Sequence, residues 1–166
     1  MKRQLPRKQD RFSALQEKYF NSYKRGVKMS GLRINELTVG QKASFSKTIT
    51  ETDVYLFAGV SGDINPAHLD EEYAKSTFFQ GRIAHGMLSA ALVSAVIGTK
   101  LPGPGTIYAS QTLSFLAPVR FGDTITATVE VKEILSEKNR VILNTCCTNQ
   151  EGLMVLKGEA VVLPAK

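Results

Sequence analysis

The sequence predicts an α+β domain in which an antiparallel sheet lies on one side of a central helix. Residues 83–98, IAHGMLSAALVSAVIG, contain no Lys, Arg, Asp or Glu and many small side chains, which is typical of a helix buried on all sides. From residue 106 the apolar period changes to two, which indicates strands with one buried face. The predicted order is one strand and short helices before the long helix and a run of strands after it. This order is typical of an α+β domain.

The elements before the central helix are marked by alternation and by capping residues. Residues 42–50 alternate apolar and polar side chains and are predicted to form a strand. Thr50 followed by Asp53 is a capping-box pattern that begins a helix over 51–60, and the next glycine ends it. Asp70 is predicted to cap a further short helix, whose first turn holds two glutamates.

The segments after the central helix are predicted to form an antiparallel meander. In the first of them the alternation runs from Leu113 to Phe121, and a Gly-Asp turn at 122–123 leads to a second strand. Two further strands are predicted at 141–148 and 153–163, with the turn NQEG between them.

The first 30 residues form a separate basic extension. They hold nine Lys and Arg but two Asp and Glu, a local charge of +7, whereas the remainder of the chain carries 12 basic and 13 acidic residues. Phe12, Leu15, Tyr19 and Tyr23 recur at helical spacing, which indicates a basic amphipathic helix over roughly 9–24. The alternative, which is favoured, is a solvated extension packed loosely on the rest of the chain. The predicted division is therefore an extension at 1–30 and a domain at 31–166. Nucleic-acid binding would have to depend on the extension alone, and none is predicted.

Cysteines and hydropathy favour a cytoplasmic protein. Cys146 and Cys147 are adjacent, which suits neither a metal site nor a disulfide framework and fits a reducing compartment. The N-terminus does not reach the apolar run of a secretory signal, and its acidic residues weaken a mitochondrial presequence. The uncharged run in the central helix is shorter than the about 20 residues of a membrane span, so no span is predicted.

The segment SGDINPAHLD (61–70) is the first candidate for chemistry. Asp63 and His68 are five residues apart, but Pro66 extends Asn65 and prevents a continuous helix, so that the two side chains can converge. Asn65 can brace this turn through backbone hydrogen bonds. A carboxylate beside an imidazole is an acid–base pair. The alternative is that Asp63 braces the turn and His68 is an ordinary core or surface histidine.

The second candidate is the pair His85-Gly86 at the start of the central helix. Free N–H groups and the helix dipole favour negative charge there. A substrate carbonyl on the Gly86 N–H would have its enolate stabilised, and one such donor contributes about 2.7–4 kcal/mol. The alternative is that Gly86 only allows tight packing.

These residues carry a family resemblance. FAGVSGDINPAHLDEEYA (57–74) resembles the pattern G-D-x-N-P-x-H of the MaoC-like, (R)-specific type-2 enoyl-CoA hydratases, with Ala74 in the small-residue place after it. Ala67 departs from the pattern, since the family usually has a larger aliphatic residue there. The likeness continues through HGML and IYASQTLSFLAPVRFGD and covers about residues 31–164.

The resemblance implies a hot-dog fold, in which the sheet wraps around the helix, and reversible syn addition of water to trans-2-enoyl-CoA without metal or redox cofactor. It implies that Asp63 and His68 hold and activate the water and that Gly86 forms the oxyanion site. Ser94 matches a serine that lines the active site, with easier helix–sheet packing as its alternative, and Asn65 belongs to the same substrate-binding group. An acyl-CoA substrate and a homodimer are also implied.

Two other functions remain open at this stage. One is a regulatory hot-dog protein that senses acyl-CoA, which the basic extension suggests, although 30 residues are too few for a helix-turn-helix and linker. The other is a thioesterase or acyl-carrier-protein dehydratase, against which the pattern at 62–68 argues. Cations that could bind the CoA phosphates, or be plain surface charges, are Lys75, Arg82, Lys100 and Arg120.

Overall fold

The computed structural model describes residues 30–166, so the helix predicted over 9–24 lies outside the described residues. The strands are β1 Lys42–Thr48, β2 Ile107–Phe115, β3 Thr124–Leu135, β4 Arg140–Thr148 and β5 Met154–Leu163. The helices are α1 Glu51–Ser61, α2 Pro66–Leu69, α3 Glu71–Lys75 and α4 Gly86–Thr99. Short 3-10 turns lie at Ile34–Glu36 and Ser136–Lys138. Within this part of the chain, none of the helices has the length and apolar character that a membrane crossing requires.

Capping residues set the ends of the helices that flank the candidate segment 61–70. The Thr50 hydroxyl accepts from the Asp53 N–H at 3.2 Å, and the Asp53 carboxylate accepts from the Thr50 N–H at 2.9 Å, which confirms the predicted capping box. Gly62 ends α1 in the left-handed conformation, with φ 76°, which favours glycine. Asp70 caps α3 by accepting from the Tyr73 N–H at 3.0 Å, as predicted. The segment between these caps is therefore held at both ends.

The five strands form one antiparallel sheet in the order β1-β3-β4-β5-β2. The meander prediction is confirmed for β3, β4 and β5, which are neighbours in sequence and in space. It is wrong for β2, which pairs with β5 at the far edge and not with β3. Alternation within a strand shows which face is buried but carries no information about which strand lies beside it.

The segment after β2 also differs from the prediction. The alternation through Ala117, Val119 and Phe121 predicted a continuing strand, but β2 ends at Phe115. Pro118 interrupts the segment, and a proline cannot donate to a sheet ladder. The chain instead crosses from one edge of the sheet to β3, and this crossing packs against the start of α4 through the hydrogen bond from the Ala84 N–H to the Val119 carbonyl at 2.8 Å.

The core lies between α4 and the sheet. The buried side chains of α4 include Leu92, Val93, Val96 and Ile97, and inward-facing residues of β3 and β4 are buried opposite them, as the period of two predicted. The prediction that α4 is buried on all sides is wrong for one stripe, which holds Met87, Ala91, Ser94 and Gly98. The sheet covers the other side of the helix, and this stripe lies beside β2 at the edge of the sheet. The apolar composition alone could not distinguish the covered from the open side.

Candidate active site

The turn from Asp63 to His68 brings its two titratable side chains together. The Asp63 carboxylate accepts from the Asn65 N–H at 3.3 Å, and the Asn65 side chain accepts from the Ala67 N–H at 3.1 Å. Pro66 stands at the first position of α2, where its missing N–H costs nothing, so it begins a helical turn as well as preventing a continuous helix. Side-chain ligand atoms of Asp63 and His68 lie within 4.8 Å of each other.

The His68 ring has a defined tautomer when it is neutral. Its Nδ1 lies 2.9 Å from the backbone carbonyl oxygen of Ile83. Because a carbonyl only accepts, Nδ1 carries the hydrogen and Nε2 keeps its lone pair. The His68 residue is 9% exposed, whereas the Asp63 side chain is 51% exposed. The site therefore combines an acceptor nitrogen on a largely buried residue with a carboxylate that reaches solvent.

Both side chains line a cavity of about 450 Å³ that also contains Gly86, the first residue of α4. The walls are mainly apolar and include Phe78, Phe79, Ile83, Phe115, Leu116, Pro118 and Val155. Such a cavity, with few convergent polar groups, is typical of a small-molecule site. It places an apolar ligand surface beside the Asp63 carboxylate and the His68 imidazole.

Gly86 has both a packing and a chemical reason to be glycine. A Cβ atom there would lie 2.7 Å from Cε1 of Phe115, so the aromatic ring occupies the place of a side chain. The Gly86 amide is one of the first amides of α4, which have no acceptor within the helix. His85, the residue before it, provides no side-chain cap. The packing alternative and the oxyanion prediction for Gly86 are thus compatible, and the oxyanion role stays a prediction.

Ser94 lies in a second cavity, of about 330 Å³, beside the exposed stripe of α4. Its other lining residues are Phe57, Met87, Ala90, Ala91, Tyr108, Gln111 and Leu113. Met87 also lines the first cavity, so the two cavities share one wall. The structure does not bring Ser94 together with Asp63 and His68 in one cavity, and its predicted substrate-binding role stays a prediction.

The sequence pointed to His85 only as the neighbour of Gly86 and predicted no role for its side chain. His85 is 1% exposed, and its Nε2 lies 2.9 Å from the backbone carbonyl oxygen of Asp63. Its ring centroid is 3.8 Å from that of His68. Its position before a glycine at a helix start is the one signal that could have found it.

Asp63, His68 and His85 also form a group whose ligand atoms lie within 4.8 Å of one another, the distance range of a metal site. The hydrogen bonds argue for a different use. The Nε2 of His85 carries the hydrogen that it donates to Asp63, so the nitrogen that faces Asp63 has no lone pair for a metal. The lone pair of His85 is on Nδ1, which is buried, so the carboxylate and His68 Nε2 are the two acceptors left for a water molecule in the cavity. No metal is predicted for this site.

Arg120 holds the segment that leads into the site. Its guanidinium donates to the carbonyl oxygens of Gly81 at 2.8 Å and Arg82 at 3.2 Å, and also to that of Phe79. This segment includes Ile83, whose carbonyl orients the His68 ring. The planar guanidinium group provides several donors in a fixed geometry. In Arg120 these donors bind backbone carbonyls of the protein and not the phosphates of a ligand.

The other candidate phosphate-binding cations also have partners within the protein. Lys75 pairs with Glu72 at 3.0 Å, and the Lys100 ammonium donates to the Ser44 carbonyl at 2.6 Å. Arg82 pairs with Glu51 at 2.7 Å, and this hydrogen bond raises the pKa of Arg82 and lowers the pKa of Glu51. The contacts favour structural roles for these three side chains.

Replacing Arg120 by Met is expected to lower the free energy of unfolding by about 1–3 kcal/mol, because charge-assisted hydrogen bonds to three carbonyls are lost. Equilibrium denaturation in urea measures the change. The control is Arg140→Met, because Arg140 is exposed at the start of β4. Equal losses in the two variants would contradict the bracing role of Arg120.

The sheet packed on a central helix defines a hot-dog protein, and its candidate site has a carboxylate and an imidazole close together near the start of that helix. The sequence model described as MaoC like domain matches residues 35–149. The chain belongs to the MaoC-like family.

Individual relatives agree with this assignment. The chain is 57% identical over 132 residues to an (R)-specific enoyl-CoA hydratase of Rhodospirillum rubrum, covering 79% of this chain and 91% of the relative. It is 47% identical over 126 residues to an (R)-specific enoyl-CoA hydratase of Aeromonas caviae, covering 76% of this chain and 94% of the relative. The solved structure of the unliganded R-hydratase PhaJ1 from Pseudomonas aeruginosa is similar, with a TM-score of 0.78 and 52% identity, covering 83% of this chain and 88% of that one. These findings confirm the predicted family and the hot-dog fold.

Proposed function

We propose that this protein is an (R)-specific enoyl-CoA hydratase, which adds water reversibly to trans-2-enoyl-CoA and gives (R)-3-hydroxyacyl-CoA. The observation that carries the proposal is the meeting of the Asp63 carboxylate and the His68 ring in one apolar cavity with the Gly86 end of α4. The names of the relatives at 57% and 47% identity support the same hydro-lyase reaction.

The tautomer of His68 suggests how water is held. Its Nε2 and the Asp63 carboxylate are both acceptors, so one water molecule donates a hydrogen bond to each and directs an oxygen lone pair at C3 of the enoyl thioester. As the C–O bond forms, the C2–C3 π electrons move into the enolate. The proton that water gives to the pair returns to C2 on the same face. One water thus supplies both the hydroxyl and the hydrogen, and the pair ends in its starting state.

The enolate oxygen is placed on the Gly86 N–H in this proposal. Helix dipoles and free amides favour developing negative charge, and one such donor contributes about 2.7–4 kcal/mol to the transition state. Proton transfer by a positioned side chain adds about 10²–10⁴-fold. The reaction moves protons without net oxidation or reduction, so no redox cofactor is part of the proposal, and the Gly86 N–H takes the place that a metal would have at the enolate oxygen.

We also propose that the enzyme is a homodimer and is cytoplasmic. The outer edge of β2 pairs with no strand of residues 30–166, and Ile107 and Phe115 on β2 are 62% and 52% exposed. The open stripe of α4 lies beside the same edge, where Met87 is 52% exposed. Pairing with β2 of a second copy would satisfy the free backbone groups and cover these apolar side chains.

One other reaction has a specific observation in its favour. The chain is 37% identical over 131 residues to a mitochondrial 3-hydroxyacyl-[acyl-carrier-protein] dehydratase of Solanum lycopersicum, covering 78% of this chain and 78% of the relative. The second candidate is therefore the same chemistry on a protein-bound thioester. It differs from the first in the carrier and not in the reacting atoms.

Purified full-length protein is expected to hydrate crotonyl-CoA and longer trans-2-enoyl-CoA substrates, because the site offers two acceptors for water beside an apolar cavity. Loss of enoyl-thioester absorbance measures the rate, and chiral analysis of the product is expected to give the (R)-alcohol. The same acyl groups on acyl-carrier protein test the second candidate. Release of free CoA without loss of the double bond would indicate a thioesterase and overturn the proposal.

A further inference from the structure

We infer that His85 is the positioning residue of this site, which holds the Asp63 turn and the His68 ring in fixed relation to the start of α4. The inference rests on the proposed function. His85 is the second of only two histidines in the chain, it is 1% exposed, and the proposed reaction gives it no proton to carry. The contacts of this buried polar ring therefore indicate its role.

The first contact fixes the backbone of Asp63 and leaves its carboxylate available. The Nε2 of His85 lies 2.9 Å from the Asp63 carbonyl oxygen but 4.0 Å from the carboxylate oxygen Oδ2. The shorter distance is a hydrogen bond and the longer one is not. His85 therefore anchors the residue without occupying the acceptor that water needs. The two positions are 22 residues apart in sequence, so the bond joins separate segments of the fold.

The second contact fixes the plane of the His68 ring. The two imidazole centroids are 3.8 Å apart with an interplanar angle of 34°, and Phe57 lies near His85 with its ring centroid at 5.0 Å. The Ile83 carbonyl holds the edge of His68 through Nδ1. An edge contact and a face contact together restrict both rotation and tilt of the ring, which sets the direction of the Nε2 lone pair.

The third connection is covalent. His85 is the N-cap residue of α4, so the next peptide amide is that of Gly86. One side chain and its own backbone thus link the carboxylate turn, the imidazole and the proposed oxyanion amide. A misplacement of about 1 Å in such a constellation lowers rates by about 10²-fold. This sensitivity gives His85 an effect on turnover although it touches no reacting atom.

The structure assigns opposite tautomers to the two histidines. His68 carries its hydrogen on Nδ1, because that atom faces the Ile83 carbonyl. His85 carries its hydrogen on Nε2, because that atom faces the Asp63 carbonyl, and its Nδ1 has no partner among residues 30–166. Two-bond ¹H–¹⁵N correlation NMR distinguishes these forms, and a chain with two histidines gives two ring patterns.

Two variants separate the hydrogen bond from the ring contact. In His85→Phe the ring that stacks on His68 is kept and the Nε2–H is lost, whereas His85→Gln keeps an N–H donor at similar reach and loses the ring. We expect His85→Phe to lower kcat about 10–100-fold with KM changed less than about threefold, because the substrate cavity is intact while the pair is displaced. We expect the kcat of His85→Gln to exceed that of His85→Phe by about threefold or more.

The readouts keep this inference separate from the proposed function. If the wild type is active and the kcat of His85→Phe is within about twofold of the wild-type kcat, the positioning role is overturned and the proposed function is not. A His85→Gln kcat as low as that of His85→Phe would overturn the role of the hydrogen bond. The NMR pattern of the wild type needs neither a stable variant nor a substrate. A His85 ring protonated on Nδ1 at pH 8 would overturn the inference even if both variants fail to fold, and absence of any hydration by the wild type would instead overturn the proposed function.

Discussion

Replacing Asp63 by Asn is expected to lower kcat for enoyl-CoA hydration by about 10³-fold, within the 10²–10⁴-fold range of general acid–base catalysis. The amide has nearly the shape of the carboxylate but cannot take a proton from water. It keeps an oxygen for the Asn65 N–H, which Asp63 now accepts at 3.3 Å. Because the Asp63 side chain is 51% exposed, the fold should tolerate the change, and steady-state kinetics with crotonyl-CoA measure the loss.

The matched control is Glu72→Gln, which removes one carboxylate charge from a residue that does not line the cavity. The Glu72 side chain is 87% exposed and pairs with Lys75, so wild-type rates are expected. A second comparison tests whether Asp63 and His68 act on the same water. The Asp63→Asn/His68→Asn double variant should be little slower than the slower single variant, because groups that act as a unit are not additive. Asp63→Asn turnover at the rate of the control would refute the catalytic role.

Replacing Gly158 by Ala is expected to lower the free energy of unfolding by about 3–5 kcal/mol, at the upper end of single-residue effects. A Cβ atom at this position in β5 would lie 1.8 Å from the Thr112 carbonyl oxygen and 2.7 Å from Nε2 of Gln111. The carbonyl belongs to the backbone of β2, which pairs with β5 in register Leu113 with Gly158. It cannot move away without opening the edge of the sheet. Equilibrium denaturation measures the change.

Gly59→Ala provides a control with the opposite sign. Gly59 lies inside α1, and a Cβ atom there would have no neighbour within 4 Å. Alanine in a helix is more stable than glycine by about 0.5–1 kcal/mol, so this variant should unfold at higher denaturant. If Gly158→Ala lost less than about 1 kcal/mol, the close approach of β2 and β5 would be wrong.

Local patterns in the sequence predicted what depends on neighbours along the chain. The capping box of Thr50 and Asp53, the cap at Asp70 and the alternating burial of β3 and β4 are all present. The place of β2 was not predictable, because strand order depends on pairing between distant segments. The open side of α4 was hidden for a similar reason. An apolar helix has no polar stripe to show which side the sheet leaves uncovered.

The candidate site likewise has some residues that the sequence could reveal and others that it could not. Residue types and spacing singled out Asp63, His68 and Gly86 as candidates, the family resemblance implied their roles, and the structure brings them to one cavity. His85 and Arg120 were missed as structural partners because both act on backbone carbonyls, which every residue has. Because a backbone carbonyl can belong to any residue type, the sequence does not show which residue accepts such a hydrogen bond.

The unequal exposure of the two acid–base groups has a consequence for the supply of the second reactant. The imidazole is enclosed, but about half of the carboxylate side chain meets bulk solvent. In the proposed hydration, water can therefore reach the pair from the carboxylate side while the acyl group of the thioester contacts the apolar walls of the cavity. The same opening serves the departing water when the proposed reaction runs as an elimination.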